Sequence, residues 1–80
     1  MDRRLTFRDL RRILKRYGIL EVRGRGKGSE RWFEGRVPTG YPITCHGEGK
    51  EVGVGLVKAV RRHFRLTPEH GVSDHDFYGG

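Results

Sequence analysis

The chain reads as an α+β two-layer sandwich: a helix, a three-stranded antiparallel sheet, a second helix, and a short closing helix. Three observations carry this reading. Apolar residues recur at helical spacing in two separate stretches; the segment between them holds three short β-rich runs broken by glycine and proline; and 34% hydrophobic content in 80 residues supports one modest core and no second domain.

Thr6 suits a helix N-cap with Asp9 three residues on, and Phe7, Leu10, Ile13, Leu14 and Tyr17 then form one apolar stripe until Gly18. The other face carries Arg8, Arg11, Arg12, Lys15 and Arg16; patterning requires only that it be polar, and phosphate tracking is the sharper reading. Ile19-Leu20-Glu21-Val22-Arg23 is the first strand, Arg31-Trp32-Phe33 the second and Tyr41-Pro42-Ile43-Thr44-Cys45 the third, with Gly35, Pro38 and Gly40 in the turn between the last two. After the loop Gly47-Glu48-Gly49-Lys50, Leu56, Val57, Val60 and Phe64 return to helical spacing, with Lys58, Arg61, Arg62 and Arg65 outside. Thr67-Pro68 starts a short closing helix, and the tail from Gly71 to Gly80 is expected to be loosely held. Both helices cover one sheet face and leave the other open, with Leu10, Leu14, Phe33, Ile43, Leu56, Val60 and Phe64 as the expected core.

Seventeen Lys and Arg against ten Asp and Glu give a net charge of +7, which favours a polyanionic partner through counterion release. Cys45 is the only cysteine, so no internal disulfide can form. No apolar run reaches the ~20 residues of a membrane span, and Met1-Asp2-Arg3-Arg4 lacks the apolar stretch of a signal peptide, so a cytoplasmic protein is expected.

The densest chemistry lies in Val22–Phe33, where Arg23, Arg25, Lys27 and Arg31 alternate with three glycines and lead into Trp32. A turn centred on Pro38 would place Glu30 opposite His46 and Trp32 opposite Thr44 on the open face, with Phe33, Ile43 and Cys45 on the helix side. Glu30 as base, His46 as acid, and Arg25, Lys27 or Arg31 as phosphate clamp are the parts of a metal-free ribonuclease. The plainer alternative is a cross-strand charge pair. Trp32 suits base stacking or cross-strand packing. The glycine run lacks Walker spacing and no helix follows it, and the histidine and aspartate spacings match no zinc site, so neither a nucleotide cofactor nor a metal is expected.

From Thr6 to Glu69 the chain resembles the HicA-type toxins, small RNA-cleaving proteins with a double-stranded-RNA-binding-domain-like fold. The resemblance is carried by Tyr17-Gly18, by Gly28-Ser29 followed by Phe33, by His46 with Gly49-Lys50-Glu51-Val52 and Gly55-Leu56, and by Leu66-Thr67-Pro68-Glu69. It implies mRNA as ligand, a HicB-like antitoxin as partner, and Ser29 and Lys50 beside the basic loop in the RNA-contacting set. In that family a catalytic histidine directly follows the Gly-Ser pair; here that position is Glu30. The expectation is an RNA-binding protein with altered or lost cleavage. The alternatives are an active metal-independent endoribonuclease using Glu30 and His46, and a basic module that docks an acidic antitoxin-like protein.

Overall fold

The computed structural model describes residues 4–79; Met1-Asp2-Arg3 and Gly80 lie outside it. Helix α1 (Phe7–Arg16) starts where expected, with the Thr6 hydroxyl accepting from the Asp9 backbone N–H at 3.1 Å. Strands β2 (Leu20–Val22), β3 (Glu30–Gly35) and β4 (Val37–Thr44) form the antiparallel meander in the order β2-β3-β4. Helix α2 (Val54–His63) follows, so the architecture is α+β with a three-stranded sheet between the two main helices. A two-residue ladder that the sequence did not signal joins β1 (Leu5–Thr6) to β5 (Glu51–Val52), pairing Leu5 with Val52 and tying the entrance of α1 to that of α2.

The odd-numbered sheet residues Phe33 and Ile43 are fully buried against α1 and α2, together with Phe7, Leu10, Leu14, Val57, Val60 and Phe64. Leu56, expected in this core, is only partly buried at its margin. The even residues Leu20, Val22, Trp32, Glu34 and Pro42 lie on the open face, as the period of two requires. Both prolines of the third strand, Pro38 and Pro42, are tolerated because β4 is an edge strand.

The hairpin register differs from expectation by two residues. The tip is Arg36, not Pro38: Gly35 faces Val37, and Arg36 itself takes φ 67°. That conformation is uncommon outside glycine, and tertiary bonds hold it, with the Arg36 guanidinium donating to Phe64 O at 2.9 Å and Arg65 O at 3.3 Å. A register shift between Phe33 and Gly35 then sets Glu30 opposite Thr44 and Trp32 opposite Pro42. A two-residue slip keeps every side chain on its face while changing every partner.

The tail is a second correction. The closing turn Pro68–His70 is 3₁₀, and residues 71–79, expected to be loose, include helix α3 (Asp74–Tyr78). The Ser73 hydroxyl caps α3 by accepting from Asp76 N–H, and Phe77 is fully buried. Arg61, expected on the outer face of α2, is buried at 5% exposure because α3 covers it. Its guanidinium donates to Leu66 O (2.9 Å) and Asp74 Oδ1 (2.9 Å) and lies 4.5 Å from the Phe77 ring centroid. From the other side, Arg16 donates to Phe77 O and Tyr17 to Asp76 O, so α3 bridges the ends of α1 and α2.

Candidate nucleic-acid interface

The loop from Arg23 to Ser29 connects β2 to β3 and folds back onto the start of β3. Gly26 packs so closely against the Glu30 carbonyl that a Cβ there would collide with it, so a side chain at position 26 would open the loop. The loop closes with Glu30 N–H donating to Lys27 O (2.9 Å), and Cys45 N–H donating to Ser29 O (2.8 Å). Arg23, Arg25, Lys27, Ser29 and Glu30 are all exposed, so a compact turn displays its cations to solvent.

The cations do not share one surface. Arg25 turns to the open sheet face, where it pairs with Glu34 at 3.2 Å and lies 5.0 Å from the Trp32 ring centroid. The Trp32 indole donates to the same Glu34 oxygen at 2.7 Å and rests over Gly40, where an added Cβ would approach Nε1 to 2.6 Å. Trp32 is thus half-buried, with the Arg25 guanidinium over its ring and Gly40 against its indole nitrogen. Arg31 belongs to the opposite, helix-facing parity and pairs with Glu21 at 3.2 Å. The open face thus combines Leu20, Val22, Trp32 and Pro42 with the exposed Glu30 and Thr44, and the arginine turned to it is already matched by Glu34.

Beside the glycine loop, on the outer side of β2, lies an open cleft of about 940 Å³. Arg11, Lys15, Arg23 and Arg31 line it, together with Glu21, Glu30 and Glu48. The Arg11 fork closes on Glu48 at 2.7 and 2.8 Å, while its third nitrogen donates to Glu21 at 3.2 Å. Glu21 offers its other oxygen to Arg31, giving the chain Glu48–Arg11–Glu21–Arg31. The bond from Arg11 holds the Glu48 carboxyl below its ordinary 4.5, and the bond from Glu48 raises the Arg11 guanidinium further. Lys15 and Arg23 at the cleft, and Lys27 on the loop, are exposed and have no carboxylate partner among the described residues.

Glu30 and His46 do not face each other. Glu30 opens β3 opposite Thr44, while His46 lies two residues further along, past the end of β4, and is exposed. Lys50, four residues beyond His46, is exposed, and its carbonyl accepts from Phe7 N–H at the start of α1. No group of three or more His, Cys, Asp or Glu side chains among the described residues could hold a metal ion. No helix there is long and apolar enough to cross a membrane.

Sequence reasoning missed Glu21, Glu48 and the role of Arg11. A signal for one of these was present: Glu21, like Arg31, falls on the strand parity that faces the helices, where a charge needs a partner. Glu48 gave none, since its link to Arg11 spans 37 residues. Comparison of the chain with protein-family models, with curated proteins and with solved structures finds no match.

Proposed function

We propose that the chain binds RNA through the cleft between α1 and the glycine loop, without cutting it by a Glu30–His46 pair. The observation that carries this is the pair of exposed cations Lys15 and Arg23 lining one open cleft, with exposed Lys27 on the adjoining glycine loop, all without carboxylate partners among the described residues, in a chain of net charge +7. A cation with no carboxylate near it gains most from a phosphate, because nothing has to be displaced, and each contact releases condensed counterions. Arg25, matched to Glu34, contributes less. The cleft also takes in Leu20, Val22 and Trp32 of the open face, so this reading extends the expected surface around β2 to α1, keeping Arg23, Lys27, Arg31 and Trp32 and adding Arg11 and Lys15.

The register supports binding without cleavage by this pair. A base and an acid must both reach one phosphodiester and its 2′-hydroxyl, and the hairpin sets Glu30 across from Thr44 instead of His46. The choice of RNA over DNA, the kinship with HicA-type toxins and a HicB-like partner rest on the order of the sequence motifs and belong to the same proposal. The test is the salt dependence of RNA binding in the native chain and in a variant with Arg23 and Lys27 replaced by Ala.

A further inference from the structure

We infer that Glu48 stands in the free protein where a phosphodiester of bound RNA would stand, and that Arg11 becomes a phosphate-binding residue when the two exchange. The inference rests on the proposed RNA binding and adds a competing carboxylate to it. A guanidinium fork takes a carboxylate and a phosphate in the same bidentate geometry, and the Arg11–Glu48 contacts of 2.7 and 2.8 Å have that geometry. Arg31, which lines the same cleft, and Arg8 also favour the charged form of Glu48, so an anion in its place is attracted by the same cations.

The exchange needs no opening of the core. The Arg11 and Glu48 side chains are 34% and 40% exposed, and Glu48 sits between Gly47 and Gly49 on a surface loop. The loop backbone stays anchored when the side chain swings out, because Glu48 O accepts from Arg8 N–H and Lys50 O from Phe7 N–H, each at 3.0 Å. Glu21, only 18% exposed, remains behind and holds Arg11 on one oxygen and Arg31 on the other. It acts as a positioning residue that keeps two guanidiniums side by side for the incoming phosphate.

Fluorescence anisotropy with a labelled RNA hairpin tests this on the full chain and on Glu48→Gln, Glu48→Ala, Arg11→Ala, Arg11→Ala with Glu48→Ala, and Glu51→Gln. Glu51 pairs with Arg4 outside the cleft, so Glu51→Gln makes the same charge change elsewhere. Glu48→Ala should bind about two- to fivefold more tightly than the native chain, the scale of an exposed charge pair, with a salt slope steeper by about one phosphate contact. Glu48→Gln should gain less, because the amide still bonds Arg11, and the gain should vanish when Arg11 is also removed. The inference is overturned if neither Glu48 variant exceeds Glu51→Gln, or if the gain persists without Arg11. Native binding with no such gain removes this inference alone, whereas no RNA binding by any form removes the proposed function with it.

Discussion

Replacing Phe77 with Ala tests whether the last residues belong to the domain. Phe77 is fully buried, packs edge-on against Tyr78 with ring centroids 5.1 Å apart, and lies beneath the Arg61 guanidinium. Truncating a buried Phe to Ala costs about 3–5 kcal/mol, and the lower end applies here because a five-residue helix at the end of the domain can shift into part of the cavity. A domain of this size has about 4–12 kcal/mol in all, so a loss of about 3 removes a quarter or more. The truncation also strips the ring from Arg61, one of whose nitrogens is buried with no hydrogen-bond partner among the described residues. Urea unfolding followed by circular dichroism measures the change, and Phe77→Leu, which conserves most of the volume, should lose less than about 1.5 kcal/mol. A loss below about 1 kcal/mol for Phe77→Ala would mean that α3 is not packed on α2 and that Arg61 is exposed.

Two further outcomes follow from the site. Because the Arg11 bond lowers the native pKa of Glu48, its contribution to stability is complete above the ordinary value of 4.5 and is lost as the pH falls through the lowered native value. The stability difference between the native chain and Glu48→Gln should therefore be constant near neutrality and shrink in acid; a difference that grows in acid would reverse the assignment. Incubated with a mixed RNA pool and chelator, the native chain should leave the RNA intact. Metal-independent cleavage that falls roughly 10²–10⁴-fold in both Glu30→Gln and His46→Ala would restore the acid–base pair.

Local signals were the legible part of this fold. The Thr6 cap, the α1 stripe and the parity of Phe33 and Ile43 each depend on residues a few positions apart, and all appear as read. The hairpin register was not legible because its tip is an arginine at positive φ, held by carbonyls 28 and 29 residues away, while the nearby proline and glycine gave a stronger turn signal. The tail did carry a cap signal in Ser73 with Asp76, but its two apolar anchors, Val72 and Phe77, stand among polar residues. Only the packed structure shows that α2 needs covering at Arg61. For the site, the alternation of glycine and cation located the loop but not the face each side chain takes: Arg25 and Arg31 diverge to opposite sides because one is on the loop and the other on the helix-facing parity of β3.

The most direct test of RNA binding at the α1-side cleft is the salt slope of RNA affinity in three chains: native, Arg23→Ala with Lys27→Ala, and Arg25→Ala. Removing two of the three cations that lack carboxylate partners among the described residues should reduce the slope by about two, since each neutralises about one phosphate. Arg25→Ala should change it by less than about one, since Glu34 already holds that arginine. A slope unchanged by the double substitution, or one that falls only with Arg25→Ala, would contradict the account and return the RNA to the open face of the sheet.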